Sequence, residues 1–389
     1  MACIRKRRGK YVVDYRDGTG QRRWVTCETR READEILSSK VRENRQLTRP
    51  AADADVTLSQ YAERWIGTIS SSLKPRTIES YQQCLRLYIE PRFGATKIRR
   101  LHRGLIKEFL AQQLGSGLAP NTVRIVHATL RAMLNEAVED NILMANPAIR
   151  LGKKLRLVPT SKQRQEQIKA MDRDQLSAFL GTTANAAKGW DRSYYPLFLL
   201  MARTGLRLGE AIALEVGDIN SEGRTLRVER AFSAGRIETP KTGEGRDVDM
   251  SQQLTATLRQ MIAGRREKWF KEGKVQVPSL LFISEDGTML DGANIRKVFT
   301  RSLKAAKLPL HFTPHCLRHT FASLLLQQGE SPAYVQRMLG HASIKLTVDT
   351  YGKWLPMGNR AAVDRLDDQN GSKVVANEDS KKSGVAVKY

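Results

Sequence analysis

The sequence predicts a multidomain α+β fold. A small β-sheet plus helix forms an N-terminal module, an all-α helical domain follows, and a mainly α C-terminal domain carries a small antiparallel β-sheet. Three observations predict this. With 389 residues and 41% hydrophobic content, the chain can bury two or three cores. Its apolar spacing is strand-like near the N-terminus and becomes helical from Thr57. Polar stretches at 50–56 (PAADADV) and 150–164 (RLGKKLRLVPTSKQR) break the pattern. The divisions are a sheet-plus-helix module at 1–49, a helical domain at 57–150, a basic linker at 151–170, a mixed domain at 171–365 and a polar tail at 366–389.

In the first module, Lys10–Arg16 (KYVVDYR) and Gln21–Cys27 (QRRWVTC) flank the turn residues Asp17–Gly20, which is a hairpin pattern. Thr29 caps a helix reaching about Asn44. The module holds 14 Lys and Arg against 7 Asp and Glu. A basic β-ribbon suits a DNA major groove, although a solvated charged hairpin has the same signature.

The helical domain opens at Thr57, whose spacing to Gln60 is that of a capping box, with Leu58, Tyr61, Ala62, Trp65 and Ile66 on one face. Lys74-Pro75 introduces a second helix bearing Ile78, Tyr81, Leu85 and Tyr88, expected to break at Pro91 and Gly94. Two more are expected at about Arg103–Leu114 and Pro120–Asp140. The basic stretch 150–164 has no acid and no clear period, and reads as a linker along a nucleic-acid backbone or as a plain flexible one.

In the C-terminal domain, Tyr194–Ala202 is a buried helix interrupted at Thr204-Gly205, and Arg207 stands at the start of a helix over Leu206–Leu214. Strands are expected at Arg224–Ala231, Arg236–Thr239 and Arg246–Met250. The last two would form a hairpin with Lys241 in its turn. Helices are expected at 251–270 and 292–306. Pro314 opens another that ends at Gly329, and Ser331-Pro332 opens one that stops at Gly340.

Composition narrows the function. An excess of 65 Lys and Arg over 41 Asp and Glu, a formal net charge of +24, implies a folded protein that faces a polyanion, foremost nucleic acid. Four scattered cysteines with no C-x-x-C spacing indicate neither a zinc ribbon nor a disulfide framework. There is no signal-peptide core and no membrane-length apolar run, so a cytoplasmic protein is expected. Candidate DNA contacts are Arg7, Arg8, Lys10 and Arg22 in the first module, Lys74, Arg76 and Arg124 in the second, and Lys153 and Lys154 in the linker.

The chemistry-bearing side chains gather in 311–351. His315, Arg318 and His319 fall at i, i+3 and i+4 on one helix face, His341 follows a helix stop, and Tyr351 comes ten residues later. Cationic donors and a phenol suit attack on a phosphodiester. Packing roles, or zinc ligation by the three histidines, are alternatives. Against zinc, Cys316 stands where an H-E-x-x-H motif has glutamate.

At this point the chain resembles a known family. Ala202–Glu210 (ARTGLRLGE) resembles the first arginine box of the tyrosine recombinases, the phage integrase family. His315–His319 (HCLRH) is similar to its H-x-L-R-H box, Leu339-Gly340-His341 and Asp349–Gly352 (DTYG) to its last two elements, and Thr239–Thr242 (TPKT) to its hairpin lysine motif. Each box alone is weak, but five in family order over about 150 residues are specific. By the same resemblance, 57–150 is the helical core-binding (SAM-like) domain, 1–49 an arm-type DNA-binding module and 171–365 the catalytic domain.

The resemblance implies a site-specific recombinase or integrase of a phage or other mobile element. Tyr351 would attack DNA and leave a 3′-phosphotyrosyl link, without ATP, metal or another cofactor. It implies Arg207 and Arg318 on the non-bridging oxygens and Lys241 as the acid for the leaving oxygen. His315 and His341 would be further phosphate-side donors, His315 also helping to deprotonate Tyr351, with Glu210 and His319 as structural support. Implied partners are double-stranded attachment-site DNA, further copies of the chain in a tetramer, a directionality factor and a host DNA-bending protein. The rivals are a chromosome-dimer resolvase, a type IB topoisomerase and a non-catalytic architectural protein.

Overall fold

The structure is a computed structural model that describes residues 3–7, 9–16, 21–47, 55–186, 194–240, 244–273, 277–356, 358, 360–364 and 366. Arg8, Lys241 and the tail beyond Leu366 lie outside the described residues. The chain divides into two compact units, Met1–Gln163 with Ser233–Arg236, and Arg164–Phe232 with Ile237–Tyr389.

In the first unit, strands β1 (Cys3–Arg7), β2 (Lys10–Arg16) and β3 (Arg22–Cys27) form an antiparallel sheet in that order, with Arg5 opposite Val12 and Val13 opposite Val25. Helix α1 (Arg30–Leu47) covers one face through Ala33, Ile36 and Leu37, which pack with Val13 and Cys27. Thr29 Oγ1 accepts from the Glu32 N–H, as its capping pattern requires.

The helical part comprises α2 (Leu58–Ile69), α3 (Pro75–Cys84), α4 (Glu90–Phe93), α5 (Arg103–Gly115) and α6 (Pro120–Glu139). Thr57 and Gln60 make the reciprocal capping box. Pro91 does not end the second helix as expected. A π-helical turn at Leu85–Ile89 joins α3 to α4, so the chain stays helical through the proline. The wider turn takes up the carbonyls that proline cannot satisfy and whose space its ring would invade.

The basic stretch also departs from expectation. Helices α7 (Leu151–Lys154) and α8 (Ser161–Gln167) form within it, and Leu151 and Leu157 are buried in the bundle's core. Two apolar residues six apart are too few to show a period, yet enough to anchor a segment.

The second unit is built around α10 (Tyr195–Thr204), which is apolar on nearly all sides because it is buried on nearly all sides: Leu197 to Ala202 are all inside. Around it are α9 (Arg173–Ala184), α11 (Leu208–Ile212), α12 (Gln252–Lys271), α13 (Gly292–Ala305), α14 (Pro314–Gln327), α15 (Pro332–Leu339), α16 (Ile344–Tyr351) and α17 (Arg360–Asp364). Phe179, Phe198 and Phe299 meet at the centre, with ring centroids 4.6–5.4 Å apart.

The sheet pairing corrects the sequence expectation. Strands β4 (Ile219–Asn220), β5 (Thr225–Val228) and β8 (Arg246–Asp249) form one antiparallel sheet, ordered β4-β5-β8. Strands β6 (Ala231–Ser233) and β7 (Arg236–Glu238) pair with each other. Strands β7 and β8 therefore belong to different sheets and do not pair as the expected hairpin, and residues 241–243 between them lie outside the described residues. The tight turn is at Ala234-Gly235, where both residues have positive φ (49° and 77°), the geometry of a two-residue hairpin.

Candidate active site

Four chain segments converge on one open cleft of about 850 Å³, lined by Arg207, Gly245, Arg246, Gln336, Gly340 and His341. The first segment is the break between α10 and α11. Gly205 ends α10 in the left-handed region (φ 67°), and a Cβ there would lie 2.5 Å from Phe321 Cδ1 and 2.7 Å from Leu339 Cδ2. Only glycine fits this turn. The turn places Arg207 at the N-cap of α11 and turns the Gly205 carbonyl toward α14.

Arg207 is fixed by Glu210, one turn on. The carboxylate accepts from the Arg207 backbone N–H at 2.9 Å and from Nη1 at 2.7 Å. Glu210 is 1% exposed. A buried carboxylate needs more than one cation, and Arg246 supplies the other: Nη1 and Nη2 donate to its two oxygens at 3.2 and 2.8 Å. Burial alone would raise the Glu210 pKa, but the hydrogen bonds and charge of Arg246, with Arg207, hold it down to about 2.

Arg246 belongs to the candidate site by its contacts and was missed in the sequence reading. The signal for it was an arginine at an inward strand position, in phase with buried Val248 and Met250.

Arg318 is 2% exposed and spends two donors on backbone. Nη1 donates to the Gly205 carbonyl at 2.8 Å and Nη2 to the Leu339 carbonyl at 2.8 Å. Arg246 Nε donates to Met338 O at 3.0 Å, so two arginines satisfy the orphan carbonyls at the C-terminus of α15. Burial and the neighbouring Arg207 charge lower the Arg318 pKa to about 10, which leaves it cationic at neutral pH.

Tyr351 is the last residue of α16 and is 1% exposed. Its hydroxyl lies 2.8 Å from His319 Nδ1. The His315 ring meets the His319 ring edge-on, with centroids 4.7 Å apart. His341 stacks parallel to Tyr351 at 6.1 Å and places Nδ1 2.9 Å from Thr347 Oγ1. Burial pushes the Tyr351 hydroxyl up to about 12 against the opposing pull of Arg318 and Arg207. Burial, aided by nearby cations, lowers His319 and His341 to about 3. His315 is lowered to about 4 by the packing around it together with Arg318 and Arg207, a shift its exposed edge tempers. The rings of His319 and His341 are neutral at physiological pH.

The second unit thus brings Arg207, Glu210, His315, Arg318, His319, His341 and Tyr351 together. Among the described residues no group of three or more His, Cys, Asp or Glu is placed to hold a metal ion. The candidate DNA contacts belong to the first unit. Arg7, Lys10, Lys74, Arg76, Lys153 and Lys154 are exposed and Arg124 is half-buried. Arg22 is not free, since it forks onto Asp14 at 2.9 and 2.6 Å and lies over the Trp24 ring.

Comparison with known proteins identifies the family. The phage integrase family matches residues 169–354, and the phage integrase N-terminal SAM-like domain matches 57–112, together well over half the chain. A tyrosine recombinase XerC-like protein of Caldanaerobacter subterraneus is 28% identical over 335 residues, covering 81% of this chain and 83% of its own. The ICEBs1 integrase of Bacillus subtilis is 26% identical over 387 residues, covering 95% of this chain and all of its own. The Tn1549 transposon integrase, solved with transposon right end DNA, superposes with a TM-score of 0.67 at 22% identity over 80% of this chain and 99% of that one, which speaks for the shared fold. The chain belongs to the phage integrase family of tyrosine recombinases.

Proposed function

We propose that this integrase cuts and rejoins attachment-site DNA through Tyr351, leaving a 3′-phosphotyrosyl link and a free 5′-hydroxyl. The observation that carries this is one buried tyrosine hydroxyl that feels the charges of two cationic arginines, Arg318 and Arg207, the second of which lines an open cleft. Each arginine keeps donors for a non-bridging phosphate oxygen, so charge that builds in the pentacoordinate transition state meets preorganised cations. The covalent link conserves the energy of the broken phosphodiester, and rejoining therefore needs no ATP.

In this scheme Lys241 protonates the leaving 5′ oxygen, and His315 and His341 donate to the phosphate. Glu210 and Arg246 hold Arg207. Residues 1–49 read accessory arm sites with Arg7, Arg8 and Lys10, while 57–150 and 171–365 grip the core site, helped by Lys74, Arg76, Arg124, Lys153 and Lys154. Strand exchange takes place in a tetramer on paired duplexes. A directionality factor and a host DNA-bending protein set the outcome. The ICEBs1 integrase, similar over 95% of this chain, supports a mobile-element integrase, while the XerC and XerD relatives match 70–81% of it.

A nicked suicide duplex spanning the element's attachment core tests this, without added metal. Wild type should form a denaturant-resistant DNA adduct and Tyr351→Phe none. An adduct with Tyr351→Phe would remove Tyr351 as nucleophile. No adduct, with supercoiled DNA still relaxed, would favour a topoisomerase, and neither activity with intact binding an architectural protein.

A further inference from the structure

We propose that Arg246 is a positioning residue for strand transfer: it neutralises buried Glu210, so that Arg207 keeps its positive charge for the phosphate. This deepens the strand-transfer reading and rests on it. Glu210 lies one helical turn from Arg207 and pairs with it, and a carboxylate beside a phosphate site repels the substrate. With Arg207 as its only cation, the two charges would cancel.

The hydrogen bonds show how a second arginine prevents this. Glu210 Oε1 accepts from Arg207 Nη1 at 2.7 Å and from Arg246 Nη1 at 3.2 Å. Oε2 accepts from the Arg207 backbone N–H at 2.9 Å and from Arg246 Nη2 at 2.8 Å. Each oxygen takes one bond from each arginine residue, which fills the acceptor positions of a carboxylate. One acid and two guanidiniums leave the cluster positive, and without Arg246 it would be neutral.

The two arginines divide the work by their placement. Arg246 is 8% exposed and is committed inward, with Nε donating to the Met338 carbonyl at 3.0 Å and both Nη atoms on Glu210. The Arg207 side chain is 27% exposed and lines the cleft. The buried arginine therefore serves the carboxylate, and the open one is left for substrate.

Arg246 also supports the turn that leads to His341. Gly340 ends α15 with φ 62°, and a Cβ there would stand 2.9 Å from Arg246 Nη1, so the backbone of the turn lies directly against the guanidinium. One residue of β8 thus fixes Arg207 through Glu210 and the C-terminus of α15 through Met338.

The test is single-turnover cleavage of the nicked attachment-core duplex by the full-length chain, with two scissile groups. One is the ordinary phosphodiester. The other is a methylphosphonate, in which a methyl group replaces one non-bridging oxygen and removes the negative charge that Arg207 would meet. Arg246→Met should slow phosphodiester cleavage by about 10²–10³-fold relative to wild type, and methylphosphonate cleavage by only about threefold. Arg207→Ala should give the same pattern, whereas loss of a side chain that merely braces the fold slows both substrates alike. Adding Glu210→Gln to Arg246→Met removes the stranded carboxylate charge, so the double variant should cleave the phosphodiester roughly tenfold faster than Arg246→Met alone.

The proposal is overturned if Arg246→Met matches wild type on the phosphodiester, if it slows both substrates equally, or if the double variant is no faster than the single one. Should Arg246→Met not fold, Arg246→Gln, which keeps a donor for Glu210 but no charge, is read by the same criteria. If wild type leaves the methylphosphonate uncut, the double variant decides on the phosphodiester alone. No cleavage of the phosphodiester by wild type, or cleavage by Tyr351→Phe, would instead strike at the nucleophile reading beneath the proposal.

Discussion

A single carboxylate shows how the site's charges depend on one another. Glu210 is buried between Arg207 and Arg246, and neither arginine has another acid at that distance in this cluster. Its pKa is depressed to about 2, so its contribution is present above the unfolded value near 4.5 and is lost as pH falls toward 2. His319 and His341 act in the same direction. They are lowered to about 3, so the unfolded chain takes up their protons first, and stability falls as pH drops below about 6.5. Urea midpoints should therefore fall from pH 7 to pH 5, by roughly 1–2 kcal/mol of stability per histidine. His341→Gln should flatten that slope, and an unchanged slope would mean that the ring is not held neutral by the fold.

At the scale of elements, the turn at Gly205 and the helix bearing Tyr351 pull in opposite directions. Gly205 is locked: Gly205→Ala adds a strained φ and a Cβ inside contact distance of Phe321 and Leu339, and should cost about 2–4 kcal/mol in thermal or urea unfolding. Helix α16 is held weakly. Only Thr347 and Tyr351 are buried among its eight residues, and Ile344, Leu346 and Val348 are 50%, 42% and 39% exposed. Amide exchange over 344–351 should be markedly faster than over α10, whose side chains are almost wholly inside. Equal protection of the two helices would contradict this reading.

For the whole molecule, the formal charge of +24 sets the terms of DNA binding. Phosphate contacts release counterions, so the logarithm of affinity should fall linearly with the logarithm of salt, with a slope of roughly −0.9 per contact. Deleting residues 1–49 should leave cleavage of an isolated core site nearly unchanged, reduce the salt slope on arm-bearing DNA and impair integration. Undiminished integration by the truncated chain would remove the arm-site role. No helix among the described residues is long and apolar enough to cross a membrane.

Local rules were enough for much of this protein. Capping at Thr29 and Thr57, prolines opening helices and glycines closing them lie within a few residues of sequence, and so do the spacings that made the boxes around Arg207, His315 and Tyr351 recognisable. Interactions between distant residues decided the rest. Strand β8 pairs with β5 because Val248 and Leu226 share a buried face, a preference that the short segment 236–250 does not contain. The π turn before Pro91 depends on Leu85 and Ile89 both being drawn into the bundle's core. Arg246 lies 36 residues from Glu210, and His319 lies 32 from Tyr351. Burial turns those separations into ion pairs and hydrogen bonds, since a charge or hydroxyl removed from water must find its partner wherever the fold has placed one.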